Sequence, residues 1–237
     1  WDRKSPLEKR KPLIAEGPIQ LQTHGGEIRW RNIYIKELLS SCCEIDDETG
    51  YVSIFNGENF DGWKGPIANY EVKDGAIRCL KGKGGTIFTD RTFKDFSVKL
   101  EFKLPTGGNN GLAIRYPGKG NAAYHGMCEL QVLDNTHPRY AKLDPRQFHG
   151  SAYGISPEKT GHLKKVGEWN DQEVIVRGTM ITVFLNDEII LDADLSKVTK
   201  FMANKSHPGL TLKEGHFGFA GHNDPVSFRN IRIKDLH

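Results

Sequence analysis

No apolar run in this 237-residue chain approaches the ~20 residues that a membrane-crossing helix needs, so no spanning segment is expected. Net charge is scarce as well: 33 Lys and Arg stand against 30 Asp and Glu, with the two signs interleaved. That pattern leaves no footprint for a nucleic-acid backbone, and no nucleic-acid partner is expected. The most basic stretch, residues 3–11, is interrupted by Pro6 and Glu8 and reads as a solvated arm. There are only four cysteines. Cys42 and Cys43 are adjacent and lack zinc-site spacing, while Cys79 and Cys128 sit in strand-like runs and read as buried small apolar side chains. Helix signals are thin, the best being a turn or two near residues 196–201. No secretory leader is seen, but a chain that starts inside a module cannot display one.

What the chain does have is a recurrence. Residues 17–38 return without a gap as residues 215–236, at a constant offset (215 − 17 = 198). Gly17/Gly215, His24/His222, Arg31/Arg229, Asn32/Asn230, Ile33/Ile231, Ile35/Ile233, Lys36/Lys234 and Leu38/Leu236 are identical. The apolar alternation of a half-buried strand is kept between them. We therefore expect residues 1–38 to be the closing strands of a preceding homologous domain, 39–50 a polar linker, and 51–237 one complete domain. The strands of 17–38 would be costly to leave bare. They are expected to pair with a fragment carrying the upstream body or with another copy of the chain.

Between residues 51 and 234 short alternating or apolar runs are bounded by Gly, Asn, Asp and Pro. They fall at 51–55, 70–73, 76–80, 86–88, 96–104, 111–116, 128–133, 173–177, 180–185, 188–191, 216–220 and 226–234. Asp74-Gly75 and Asn186-Asp187 sit between paired runs and predict tight hairpins. The expectation is an all-β antiparallel sandwich with one concave open face.

The densest polar segment is 124–134. Alternation sends Cys128, Leu130 and Val132 to the core and turns Glu129 and Gln131 outward. The same rule on 111–116 turns Arg115 outward beside Glu129. His125 lies in the same segment, Asp134, His137, His149 and Tyr153 sit on the loops that follow, and Asn109 sits at a glycine-rich edge. Carboxylates and amides suit sugar hydroxyls, His or Glu can move a proton, and aromatic faces stack on sugar C–H surfaces. Trp169 offers an aromatic wall or a packed side chain. His222, which recurs as His24, suits a scaffold role in the last turn at least as well as a site role.

Several motifs together resemble the 3-keto-disaccharide hydrolase family: Phe55-Asn56-Gly57 with Asp61-Gly62-Trp63, Asn109-Asn110-Gly111 before Ile114-Arg115, residues 129–134, Gly167-Glu168-Trp169-Asn170, and Gly221-His222 through Phe228-Arg229-Asn230-Ile231. The resemblance covers essentially all of 51–237, and 17–38 resembles the end of a second member. It implies a concanavalin-like jelly roll, a secreted or periplasmic setting, and an enzyme cleaving glycosides whose C3 hydroxyl has become a ketone. Such a ketone acidifies the C2 proton, so the leaving group at C1 can be expelled by elimination. His149 or Glu129 would be the base and Asp134 or Glu129 the acid, with Arg115 and His125 supporting the enolate and Asn109, Gln131, His137, Tyr153, Trp169 and His222 as substrate contacts. No cofactor or catalytic metal is expected, although a structural calcium is compatible with the fold. Two other readings stay open: a non-catalytic carbohydrate-binding module, and a conventional retaining glycosidase, which Gln131 in place of Asp disfavours.

Overall fold

In the computed structural model, residues 45–46 and 50–236 are described. The recurring segment 17–38 and its partners therefore lie outside the described residues, as do Cys42 and Cys43. The strands are β1 Ile45–Asp46, β2 Tyr51–Ser53, β3 Trp63–Lys64, β4 Tyr70–Lys73, β5 Ala76–Cys79, β6 Gly84–Phe93, β7 Phe96–Lys103, β8 Asn109–Tyr116, β9 Cys128–Leu133, β10 Trp169–Arg177, β11 Met180–Leu185, β12 Glu188–Asp194, β13 Gly215–His222 and β14 Ser227–Asp235. Most coincide with the predicted runs. Within the stretch read as linker, Ile45 and Asp46 pair with Val52 and Tyr51.

All pairings are antiparallel and form two stacked sheets. One runs β1-β2-β14-β7-β10-β11-β12, with the β4–β5 hairpin joined to it through β14; the other runs β3-β6-β13-β8-β9. Asp74 and Gly75 both take positive φ, as do Asn186 and Asp187. Each pair closes its hairpin in two residues, Lys73 opposite Ala76 and Leu185 opposite Glu188. That is the mirror-image turn which Asn, Asp and Gly tolerate and which matches strand twist.

The core is built from the alternate residues of both sheets. Phe219 on β13 stacks between Trp63, 5.3 Å away, and Phe228 on β14, 4.0 Å away, so one aromatic column spans the sheets. Each such buried phenyl contributes about 1.5–3 kcal/mol of burial free energy. Cys79 and Cys128 are free and buried, as expected. The thin helical signal near 196–201 corresponds to 3-10 turns at Leu195–Lys197 and Met202–Asn204.

The other face of the five-stranded sheet is paved with small residues. Gly111 and Ala113 on β8 and Gly218 and Ala220 on β13 face away from the buried Leu112, Ile114, Phe217 and Phe219. Small side chains lower the floor, and taller ones on β6, β9 and the flanking loops stand around it. Among the described residues no helix is long and apolar enough to cross a membrane.

Candidate active site

Glu129 projects from β9 onto that open face, as alternation requires. Its neighbour across the ladder is Ala113, and Gly111 lies opposite Gln131. A Cβ placed on Gly111 would come within 2.2 Å of Glu129 Oε1 and 2.5 Å of its Cγ. The missing side chain at Gly111 is the space through which the Glu129 carboxylate reaches across β8. On the far side stands His222, at the end of β13, with Nε2 3.2 Å from Glu129 Oε1. Tyr70 braces that strand end: its hydroxyl donates to Gly85 O and accepts from Gly221 N.

Two hollows meet at this pair. The first, of about 360 Å³, gathers Asn109, Gln131, Tyr124, Gln147, Tyr153 and Lys205 around Glu129 and His222. Gln131 Nε2 donates to Asn109 Oδ1 at 2.6 Å, and Gln147 Nε2 donates to the Tyr153 hydroxyl at 3.1 Å. Lys205 sets its ammonium 3.7 Å above the Tyr124 ring. The segment carrying it is held by Met202 N on Gly154 O and by the His207 ring on Ala123 O, both at 2.8 Å. The second hollow, of about 340 Å³, shares Asn121, Glu129 and His222 with the first and continues over Pro66, Phe88 and Tyr116. Glu129 is only 4 % exposed, yet it borders both hollows.

The electrostatics of the pair are directional. The hydrogen bond to Glu129 raises the His222 pKa above its ordinary value, and this outweighs the opposing effect of partial burial. When protonated, His222 donates from Nε2 to the carboxylate. Burial raises the Tyr153 phenol, keeping it neutral and able to donate. Among the described residues no group of three or more His, Cys, Asp or Glu side chains converges to hold a metal ion.

Asn109, Glu129, Gln131, Tyr153 and His222 thus come together, and the remaining sequence candidates do not. Arg115 leaves the open face because its backbone takes φ +46°, which breaks the alternation of β8 and shifts the ladder to β13 between His216 and Gly218. Its buried guanidinium binds Asp95 and donates to the carbonyls of Lys94, Gly178 and Leu212, a clamp between loops. Tyr116 then emerges on the open face, against Ala113 and Ala220. Asp134 is buried: Oδ2 accepts from Gly107 N and Oδ1 from the amide and hydroxyl of Thr136. Burial would raise its pKa, but those hydrogen bonds prevail and lower it, so it is a fixed anionic cap with no proton to give. His137 caps the 3-10 turn Pro138–Tyr140, and the exposed His125 turns back to Asn121; neither lines the hollows. Trp169 belongs to the nine-stranded sheet, where Lys103 and Arg229 cover its ring.

His149 is the largest departure. It is 1 % exposed and stacks on Phe102, ring centroids 4.8 Å apart, so burial lowers its pKa to about 3. A neutral core imidazole cannot serve as the accessible base. His149→Ala is expected to lower stability by about 1–3 kcal/mol, the range for lost core packing, while leaving kcat per folded molecule within about threefold. Thermal melts beside active-site-titrated rates check this, and a dead but fully stable variant would contradict it. Sequence reasoning gives no site role to Tyr124, although it opens the polar segment 124–134, and does not reach Gln147 or Lys205. Tyr124 lies on a one-turn helix, Ala122–His125, Gln147 on the 3-10 turn Pro145–Gln147, and Lys205 just after the 3-10 turn Met202–Asn204, outside the strands that alternation orients.

Comparison with known proteins agrees with this fold. Residues 50–234 match the model of the 3-keto-alpha-glucoside-1,2-lyase-like domain. A 3-keto-disaccharide hydrolase of Bacteroides thetaiotaomicron is 32% identical over 231 residues, covering 80% of each chain. A Parabacteroides distasonis structure provisionally named a glycosyl hydrolase superposes with TM-score 0.70 at 25% identity, covering 81% of this chain and 96% of its own. The carbohydrate-binding module CBM66 of Bacillus subtilis, at 17% identity and TM-score 0.52 over 75% of this chain and 98% of its own, shares the fold alone. This chain is an enzyme-type domain of the hydrolase class, and it belongs to the 3-keto-alpha-glucoside-1,2-lyase-like family.

Proposed function

We propose that the chain cleaves glycosides whose C3 carbon carries a ketone, and that Glu129 and His222 perform the proton transfers. The observation that carries this reading is the 3.2 Å contact between the two side chains where the hollows meet. The oxidised ring lies in the first hollow, with its C3 oxygen among donors from Gln131, Tyr153 and Lys205. Glu129 takes the C2 proton that the neighbouring ketone acidifies. The electron pair left at C2 is held as an enolate by those donors. It then returns to form the C1–C2 double bond as the C1–O bond breaks, and the departing oxygen takes a proton from His222. Water adding at C1, with a proton at C2, completes a net hydrolysis. Because the enolate forms first, proton and leaving group need not depart in one concerted step.

A retaining glycosidase mechanism needs a second carboxylate about 5–5.5 Å from the first. Glu129 is the only carboxylate among the residues lining the two hollows. A secreted or periplasmic setting belongs to the same proposal, as the resemblance to the family implies.

The test is a paired assay of an α-linked glucose disaccharide and its 3-keto derivative. Sugar release from the oxidised form alone is expected. Equal release from both indicates ordinary hydrolysis, and binding of either without release makes the domain a sugar-binding module; each result removes the reading.

A further inference from the structure

The two hollows differ in what they offer. Around the first stand amides, phenols and an ammonium; around the second stand Pro66, Phe88, Tyr116, Ala122 and Ala220, with glycines at 65, 85, 118, 120 and 221. Beyond Glu129 and His222, the polar side chains at the second hollow are Thr86, Tyr116 and Asn121, and two of their groups are already engaged. The Tyr116 hydroxyl donates to Gly120 O at 2.8 Å, so the ring rather than the hydroxyl faces a ligand. Asn121 Oδ1 already accepts from Ala123 N at 2.9 Å. Phe88 meets Tyr116 edge to face, centroids 5.4 Å apart, and rests at 4.9 Å on the His216 ring. A Cβ on Gly118 would fall 3.5 Å from the tip of Phe88, so Gly118 leaves the phenyl edge uncovered.

On the reading given under Proposed function, we infer that the second hollow is the leaving-group subsite and that it takes a flat aromatic aglycone, a phenol, in preference to a second hexose. Continuity with the first hollow through Glu129 and His222 puts the leaving oxygen beside the imidazole that protonates it. A second hexose would bring several hydroxyls into a slot lined by fewer polar side chains than the first hollow, and each hydroxyl buried without a hydrogen bond weakens binding. A phenyl ring needs none and gains edge or offset stacking on Phe88 and Tyr116.

The experiment measures binding in the Glu129→Gln background, which removes differences in leaving-group reactivity. The probes are 4-nitrophenyl 3-keto-α-glucoside, a 3-keto-α-linked glucose disaccharide, and 3-keto-glucose alone. Adding Phe88→Ala is expected to weaken the aryl glycoside about tenfold, as loss of an aromatic contact does, the disaccharide less than about threefold, and 3-keto-glucose not measurably. Phe88→Leu, which keeps apolar bulk against Tyr116 and His216, guards against collapse of the fold and should give the same ordering. Equal losses for aryl glycoside and disaccharide would overturn the aromatic preference, and no loss for either would move the leaving group elsewhere. The unaltered chain is assayed for turnover in parallel. Failure to cleave either glycoside removes the catalytic reading, while the binding series still decides the subsite.

Discussion

Glu129→Gln is expected to lower kcat/KM on a 3-keto-glycoside by about 10³-fold, the mid-range for loss of a positioned general base, with only a small change in melting temperature. Glutamine keeps the shape of the side chain and an oxygen for His222, so packing beside Gly111 survives. What disappears is the negative charge, and with it both the base and the largest cause of the raised His222 pKa. The parent enzyme should lose rate as pH rises through the raised His222 pKa, because the leaving oxygen then finds no imidazolium. In the variant, the residual rate should lose its alkaline limb at lower pH, closer to the ordinary imidazole value of about 6.5. Stability follows the same sign: a pKa raised by folding gives a contribution complete below the unfolded value and lost as pH climbs through the folded one. Measuring kcat/KM against pH for both proteins checks the assignment. A Gln variant with near-normal rate, or an alkaline limb that does not move, would refute it.

How far the sequence foretold this site depends on what orients each side chain. Period-two alternation on β9 correctly turned Glu129 and Gln131 outward, because a regular ladder leaves a strand residue only two directions. The same rule failed one strand away. It assumes unbroken extended backbone, and Arg115 sits at φ +46°, a departure with no reliable signature in an arginine. Density along the sequence groups the loop histidines with the site, although nearness in sequence says nothing of depth. His149 went into the core against Phe102, whereas His222, 93 residues from Glu129 along the chain, came to its side. The recurrence did flag His222, but repetition alone could not separate a scaffold residue from a working one. Strand positions and both hairpins were legible because turn chemistry and burial are local. Lys205 was not, since its place depends on a loop tied down by His207 and Met202, contacts that exist only once the sheets have stacked.

Gly111→Ala is expected to cost about 10² in kcat, the scale of a catalytic group displaced by an ångström or so, without unfolding the domain. The added methyl would lie 2.2 Å from Glu129 Oε1 and 2.5 Å from both Cδ and Cγ, so the whole carboxylate arm must leave its present rotamer. Those atoms belong to a flexible side chain, not to backbone, and the φ of Gly111 is outside the left-handed region. The fold can therefore yield at the side chain, and loss of glycine freedom in the unfolded chain offsets part of the strain. Glu129 would be driven off His222, which returns toward its ordinary pKa, so the alkaline limb should fall to lower pH as it does in Glu129→Gln. The discriminating measurement is a double-mutant cycle. If Gly111 acts only by leaving room for the carboxylate, adding Gly111→Ala to Glu129→Gln should cost far less than about 10² further, since Glu129 no longer works as a base. Fully multiplicative losses would mean that Gly111 serves the site some other way, and a Gly111→Ala enzyme at parent speed would show that the reach of Glu129 across β8 is not what drives the reaction.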